Sequence, residues 1–196
     1  MNQLIVYCHP NPKSFCSAIK QRVSETYSSL GDLVVVRDLY AIGFDPVLKP
    51  ADFEALQQGH VLEDVKMEQD HIRWCDVMTF IYPIWWTGLP AMVKGYIDRV
   101  LSYGFAYAID ENHNISQLLR GKKAIILNTM GTPKEFYDQS GMTKSLQMTT
   151  DTGIFEFCGV QVLAHTFFGA VPHVGNDVRL AMLEDAARLV RKATGR

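Results

Sequence analysis

Five short apolar runs, separated by stretches of helical periodicity, constrain the fold of this chain more than any other feature. The runs are residues 4–8, 33–36, 77–81, 124–130 and 160–164. Between them, apolar residues recur every three or four positions, as Ile19, Val23 and Tyr27 do, which is typical of an amphipathic helix. Because parallel neighbours need crossover connections, strands that alternate with helices indicate a parallel sheet with helices on both faces.

The predicted fold is therefore α/β, a three-layer sandwich around a five-stranded parallel sheet, for which we adopt 2-1-3-4-5, a common strand order of such sheets. The β-branched second run is typical of a strand buried on both faces. We predict helical structure over 51–75, with a break near Gly59 and His60, and an irregular stretch over 103–120. With 196 residues, 47% of them hydrophobic, the chain fits one domain spanning 1–196.

Composition and charge argue against several classes of partner. A formal net charge of -2 gives no general attraction to nucleic acid or to anionic lipid. No stretch reaches the roughly 20 apolar residues that span a bilayer, so we expect no membrane insertion and a soluble, cytoplasmic protein. The four cysteines show no C-x-x-C pair, and the histidines show no paired ligand spacing, so neither a disulfide framework nor a metal site is expected.

The loop after the first strand has the residues of a phosphate site. Residues 9–16 place a lysine, a hydroxyl and the amides of a helix N-terminus together, and such amides favour anions. The loop is neither a G-x-G-x-x-G motif nor a Walker A motif, which disfavours a Rossmann dinucleotide site and a P-loop. The alternative interpretation is that Ser14 simply caps the helix.

The segment after the third strand presents two adjacent indoles. Trp85 and Trp86 follow an apolar run that ends at Pro83. Adjacent tryptophans at a strand end are more typical of a half-apolar, half-polar pocket for a flat aromatic ligand than of a core. Hydrophobic packing is the alternative.

The loop after the fourth strand is the third candidate segment. Gly131 allows close approach of backbone to a ligand, and the Thr129 hydroxyl and neighbouring amides are suited to ring oxygens. Tyr137 is a candidate hydrogen-bond donor to such an oxygen, although a surface tyrosine and an ordinary strand end are the alternatives. In open parallel sheets, ligands bind at the carboxyl ends of the strands, so we expect the three loops to converge.

These segments, in this order, resemble the flavodoxin-like NAD(P)H:quinone oxidoreductases, the DT-diaphorase group with its bacterial relatives. The likeness spans nearly the whole chain. Its matching pieces are residues 6–10, 14–15, 38–40, 58–60, 83–90, 94–100, 104–107 and 157–163.

The resemblance implies a flavodoxin-like fold, a tightly bound flavin and a homodimer with active sites at the subunit interface. It places one group of residues around the flavin phosphates: His9, Lys13, Ser14, Phe15 and Cys16. It places a second group beside the isoalloxazine ring: Pro83, Ile84, Trp85 and Trp86. Thr129, Met130, Gly131 and Tyr137 would lie at the pyrimidine side, and Arg179 near the adenosine end of FAD. The long segment 52–76 favours FAD, with FMN as the alternative.

Three positions depart from the mammalian pattern. Residues 128–131 replace a Thr-Thr-Gly-Gly run, Thr143 stands about where a histidine assists charge stabilisation, and Cys16 replaces an asparagine near the pyrophosphate. These departures affect the expected quinone preference and rate more than the expected flavin binding.

The predicted activity is a ping-pong reaction in which NAD(P)H gives hydride to flavin N5 and two electrons then pass to a quinone or a similar flat acceptor. Tyr137 would stabilise the reduced ring. Two alternatives stay open: a flavodoxin-type electron carrier, which the balance of 21 acidic and 19 basic residues disfavours, and an ancillary regulatory flavoprotein of a membrane transporter.

Overall fold

The chain folds around a five-stranded parallel sheet, and the computed structural model describes residues 1–195. The five strands are β1 (Asn2–Tyr7), β2 (Leu33–Asp38), β3 (Val77–Pro83), β6 (Lys123–Thr129) and β7 (Gln161–Phe168). A separate antiparallel pair is formed by β4 (Tyr107–Ile109) and β5 (Ile115–Gln117). The order β2-β1-β3-β6-β7 confirms the predicted order 2-1-3-4-5. The predicted 1–196 domain includes Arg196, which lies outside the described residues.

Helices cover both faces of the sheet. They are α1 (Phe15–Ser29), α2 (Pro50–Gln57), α3 (Glu63–Trp74), α4 (Ala91–Val100), α5 (Lys134–Gln139), α6 (Met142–Gln147) and α7 (Asn176–Ala193). A π-helical segment, Met148–Phe155, and a 3-10 turn, Glu156–Cys158, follow α6. The break expected near Gly59 and His60 is confirmed by the end of α2 at Gln57 and the start of α3 at Glu63.

Alternation along the strands divides the core into two layers. Ile5 and Tyr7 pack with α1 and α7 on one face of the sheet. Leu4 and Val6 pack on the other face with α3, α4 and the π-helical segment. Successive strand side chains point to opposite faces, so a strand that is apolar at every position requires helices on both sides.

The prediction that β2 is buried on both faces is wrong. Leu33 is 65% exposed and Val36 37% exposed, because β2 pairs only with β1 and forms the edge of the sheet. A β-branched run favours strand structure, but it does not distinguish an edge strand from a central one.

Two stretches are more regular than their sequences indicate. The irregular stretch predicted over 103–120 contains the β4–β5 pair. Each of these strands has three residues, too few for an alternation of polar and apolar residues to be recognised. The loop predicted after residue 131 contains α5 and α6, each of only six residues. Helices this short lie below the length at which periodicity is informative.

The long segment between β2 and β3 is fixed to α4 by two close contacts. A Cβ at Gly95 would lie 2.0 Å from the carbonyl oxygen of Pro46, so only glycine lets the segment approach the helix. One turn later, Arg99 donates to the carboxylates of Asp52 and Asp64 at 2.9 and 2.6 Å. This junction orders the chain leading into β3.

Within residues 1–195, no helix is long and apolar enough to cross a membrane. The same range holds no group of three or more His, Cys, Asp or Glu side chains arranged to bind a metal ion.

Candidate functional site

The loops after β1, β3 and β6 converge on one cavity of about 210 Å³ at the carboxyl ends of the strands. Residues from all three predicted segments line it: His9, Ser14, Phe15, Cys16, Pro83, Ile84, Trp85, Thr129, Met130 and Gly131. Val171 and Pro172, from the loop after β7, complete the wall. We call this the strand-end cavity.

Backbone hydrogen bonds hold the three loops together. The amide of Ile84 donates to the carbonyl of Thr129 at 2.8 Å, which ties the loop after β3 to the loop after β6. The amide of Val171 donates to the carbonyl of Met130 at 3.1 Å, which adds the loop after β7. The cavity is therefore bounded by a backbone that the sheet itself positions.

The first loop presents the start of α1 to the cavity. Ser14 caps the helix, and its side chain accepts from the amide of Ser17 at 3.2 Å, so the helix-cap interpretation is correct. Earlier amides of the first turn have no intrahelical acceptor. Ser14 also lines the cavity, so capping and ligand contact are compatible roles. A helix N-terminus beside a hydroxyl favours an anion such as a phosphate.

Two titratable side chains of this loop are held neutral. Burial lowers the pKa of His9, and its Nδ1 accepts from the amide of Asn11 at 3.0 Å. Burial raises the pKa of the Cys16 thiol to about 11, and Cys16 Sγ lies 3.0 Å from Thr129 Oγ1. An uncharged thiol does not repel an anion, so Cys16 is compatible with a phosphate nearby.

The second loop is a tight turn with an unusual backbone. Trp85 and Gly88 exchange both backbone hydrogen bonds, at 3.2 and 3.1 Å. Between them, Trp86 and Thr87 have φ of 49° and 53°. A two-residue turn with both central φ values positive normally uses asparagine or glycine, and a β-branched residue there is a genuine outlier. Strain of this kind concentrates at functional sites.

The two tryptophans are placed differently. Trp85 lines the cavity, and its ring packs edge-on against His9 with centroids 6.0 Å apart. Trp86 is fully exposed and lies outside the cavity lining. The turn geometry sends the neighbouring side chains in different directions, which the sequence alone did not indicate.

The third loop leaves open space beside its glycine. A Cβ at Gly131 would meet no protein atom within 4 Å, and Gly131 lines the cavity. Neither the backbone nor the packing of the protein requires glycine at this position, because φ is not positive and a Cβ would fit. The room beside it is available to a ligand, which fits the close backbone approach expected from the sequence.

Three other predicted residues lie outside the cavity lining. Lys13 is exposed, next to Ser14. Tyr137 is buried in α5, and its hydroxyl lies 3.4 Å from Thr87 Oγ1. Arg179 donates to the carbonyl of Val171 at 3.2 Å, so it supports the wall from behind.

Larger cavities lie away from these loops, among them two of about 420 Å³ each. One lies between α3 and residues 102–105, and the other lies between β7 and α7. Neither includes a residue that the sequence marked as a candidate. We take the smaller strand-end cavity as the candidate functional site, because helix-terminal amides, aromatic rings and an open glycine meet there.

Sequence reasoning did not identify Val171 and Pro172. These residues follow β7, which is the neighbour of β6 in the sheet, so the rule that ligands bind at strand ends applied to this loop as well. Their apolar side chains gave no separate signal of a site.

Known proteins resemble this chain over nearly its full length. A family model described as flavodoxin-like fold matches residues 1–192. An uncharacterized NAD(P)H oxidoreductase from Haemophilus influenzae is 37% identical over 189 residues, 96% of this chain and 93% of that protein. Ribosyldihydronicotinamide dehydrogenase (quinone) from Homo sapiens is 34% identical, over 82% of this chain and 78% of its own. The solved structure of NAD(P)H:quinone oxidoreductase from Methanothermobacter marburgensis superimposes with a TM-score of 0.85 at 30% identity, and the match covers 96% of each chain.

Proposed function

We propose, from the premise that this chain belongs to the flavodoxin-like NAD(P)H:quinone oxidoreductase family, that it binds a flavin in the strand-end cavity and reduces a quinone or a similar flat acceptor. Membership confirms the resemblance predicted from the sequence. The chain is accordingly an oxidoreductase.

One observation carries the proposal: the loops after β1, β3 and β6 meet in one cavity that has a helix N-terminus at one part and an indole at another. The start of α1 and the Ser14 hydroxyl would hold the phosphates. Trp85, Ile84 and the open space beside Gly131 would hold the ring. When bound, the flavin supplies the redox chemistry, taking two electrons from NAD(P)H and passing them to the acceptor in ping-pong order.

The protein's share of the reaction is to bind and orient. Backbone bonds such as Ile84 to Thr129 fix the walls before a ligand arrives, which reduces the cost of ordering the loops on binding. Tyr137 is buried beside Thr87. We propose that a small movement of the strained turn releases the Tyr137 hydroxyl to donate to the flavin.

The volume of the cavity supports a dimer. Ligand pockets usually measure about 300–1,000 Å³, and the cavity of about 210 Å³ is smaller than that. Exposed apolar side chains occur on the turn, on α5 and on the β4–β5 pair, at Trp86, Phe136, Ile109 and Ile115. We propose a homodimer in which the partner subunit completes the site.

We propose that the whole chain acts as one flavin-binding domain in the cytoplasm. All five parallel strands belong to one sheet. The four cysteines are free and buried, which suits a reducing compartment.

Identification of the released flavin tests the proposal directly. The purified protein is denatured and the supernatant separated by chromatography; we expect FAD, because the 52–76 segment resembles the FAD-binding branch. Release of FMN instead would change the cofactor assignment and leave the proposed oxidoreductase activity in place. A protein that neither releases nor takes up any flavin would overturn the proposed function.

Steady-state assays then identify the substrates. NADH and NADPH are each tested against a panel of quinones, azo dyes and nitroaromatics. Parallel lines in double-reciprocal plots are expected for a ping-pong scheme. Intersecting lines would show that both substrates must be bound together.

Tyr137→Phe tests the proposed catalytic residue. By comparison with the removal of one oxyanion-hole donor, we expect flavin reduction by NAD(P)H to slow by about 100-fold. Tyr40→Phe removes a hydroxyl from an exposed loop tyrosine and serves as the matched control. Equal single-turnover rates in the two variants would remove Tyr137 from the mechanism.

A further inference from the structure

A chain of hydrogen-bonded polar side chains joins three elements next to the strand-end cavity, where Asn128 directly precedes the cavity residue Thr129. In β7, His165 lies with Nδ1 2.7 Å from Asp151 Oδ1 and with Nε2 2.7 Å from Asn128 Oδ1. The side chain of His165 is 2% exposed, and Asn128 is fully buried in β6. Asp151 belongs to the π-helical segment. We call Asp151, His165 and Asn128 the polar chain.

Hydrogen-bond directions in the polar chain follow from Asn128. Its Nδ2 donates to the carbonyl of Tyr82 at 3.2 Å. The Oδ1 atom therefore faces His165 and must accept, so the Nε2 of His165 carries a proton. At the other side of the ring, Nδ1 faces a carboxylate oxygen of Asp151.

To keep all three hydrogen bonds, a second proton between Nδ1 and Asp151 is required. A neutral ring beside an ionised carboxylate would place two lone pairs against each other at 2.7 Å. Moving the only ring proton to Nδ1 would instead place a lone pair of Nε2 against Asn128 Oδ1. Rotation of the Asn128 amide would relieve that contact, but it would turn Oδ1 toward the Tyr82 carbonyl. Each arrangement without the second proton loses one hydrogen bond.

Rotation of the imidazole does not restore the lost hydrogen bond. The ring is stacked on Phe167, with centroids 4.3 Å apart and an angle of 26°. The facing titratable groups are Asp151 from the π-helical segment and Tyr82 from β3. Burial raises the pKa of Tyr82, so its hydroxyl stays neutral while the pair exchanges its proton.

The polar chain is adjacent to two walls of the cavity. Asn128 directly precedes Thr129, and Tyr82 directly precedes Pro83; Thr129 and Pro83 both line the cavity. The Asn128 side chain thus joins β6 to β3 at the residues where the two loops begin. A change in this bond acts on both walls at once.

We propose that the Asp151–His165 pair is a proton-dependent positioning element, in which the shared proton holds Asn128 in place and thereby sets the position of residues 129–131 against the ligand. When the pair loses that proton, one bond of the polar chain breaks and the loop moves. The effect on flavin affinity rests on the proposed function, whereas the effect on the loop does not.

Nuclear magnetic resonance of the 15N-labelled protein tests the positioning element without any need for turnover. Spectra are recorded from roughly pH 5 to 9, where histidine changes its charge. We expect both ring nitrogens of His165 to be protonated at the acid end. The amide signals of Thr129, Met130 and Gly131 are expected to shift with the same midpoint as the ring.

Two variants separate the role of the proton from the role of the contacts. Asp151→Asn supplies an amide that donates to Nδ1, so the neutral ring keeps every hydrogen bond. The amide signals of residues 129–131 should then no longer shift with the pH. His71→Gln, in α3, is the control and keeps the wild-type midpoint. A His165 ring with one proton throughout, or loop signals that still titrate in Asp151→Asn, would overturn the proposal.

Flavin titration of apoprotein supplies the second readout. In the wild type, the dissociation constant for flavin is expected to rise about tenfold as the pH rises through the midpoint, within the usual range of coupling between two sites. In Asp151→Asn, the dissociation constant is expected to stay the same over that pH range. A wild-type affinity that does not change across the midpoint would overturn the ligand part of the proposal. If no flavin binds at any pH, the proposed function fails, and the loop signals still decide the fate of the positioning element.

Discussion

Replacement of Arg99 by methionine should remove much of the stability of the fold, because the residue is a buried cation with several acceptors. Its side chain is 3% exposed and donates to Asp52, to Asp64 and to the carbonyl of Asp45. Burial by itself lowers the pKa of Arg99, but the bonds to Asp64 and Asp52 outweigh that effect and raise it. The guanidinium therefore stays charged.

The magnitude follows from what remains when the cation is removed. Asp52 is 7% exposed and would be left as an uncompensated buried carboxylate, whereas Asp64 is half exposed and regains water. Loss of one partner of a buried pair costs about 3–5 kcal/mol. For a chain of this length, each kcal/mol lowers Tm by about 2–4 °C, so Arg99→Met should lower Tm by roughly 6–20 °C.

Thermal and urea unfolding followed by circular dichroism measure the effect. Arg188→Met is the matched control, because Arg188 is exposed and pairs with Asp185 on the same helix; it should change stability by less than about 0.5 kcal/mol. Arg99→Met combined with Asp52→Leu removes both charges and should recover part of the loss. If Arg99→Met unfolds like the control, or if the double variant is less stable than Arg99→Met alone, an uncompensated Asp52 carboxylate does not account for the loss of stability.

Three further predictions concern packing, the ligand and pH. Gly95→Ala should destabilise the fold by about 3 kcal/mol or prevent folding, since its Cβ would overlap Pro46, whereas Gly131→Ala should leave unfolding unchanged and weaken flavin binding; equal melting curves for the two would contradict this. Trp85→Ala should weaken flavin binding more than Trp86→Ala does, as measured by equilibrium dialysis, because only Trp85 lines the cavity; the reverse order would exclude our placement of the ring. Burial raises the pKa of all four thiols from 9.0 to about 11 or 12, so their contribution to stability should be constant below pH 9 and be lost as the pH rises toward 11; melting temperatures that do not fall between pH 9 and 11 would contradict the assignment.

Much of the fold could be predicted from the sequence, because strand and helix periods alternate along the chain. The alternation indicated a parallel sheet, and the order of its five strands was taken from the common order of such sheets and from the family resemblance. The exposure of β2 could not, since a β-branched run looks the same at an edge and in the centre. The short helices α5 and α6 and the β4–β5 pair were missed because each is briefer than the window in which a period can be recognised.

The site was predicted to the level of loops rather than of side chains. The rule that ligands bind at strand ends identified the three segments that meet at the strand-end cavity. It did not predict that Trp86 points away, because that depends on two positive φ values. The polar chain gave no signal, since Asp151 and Asn128 are 14 and 37 residues from His165 and no local motif links them.

The strand-end cavity is assembled from segments spread over residues 9–172, so it exists only once β1, β3, β6 and β7 have come together in the sheet. A molecule that fills it binds the native state and not partly folded chains, and it raises the unfolding free energy by about 2.7 kcal/mol at a concentration 100 times its dissociation constant. That gain is comparable with the loss expected from a single core substitution. The concentration of the ligand in the cell would then decide whether a destabilised variant of this protein persists or is degraded.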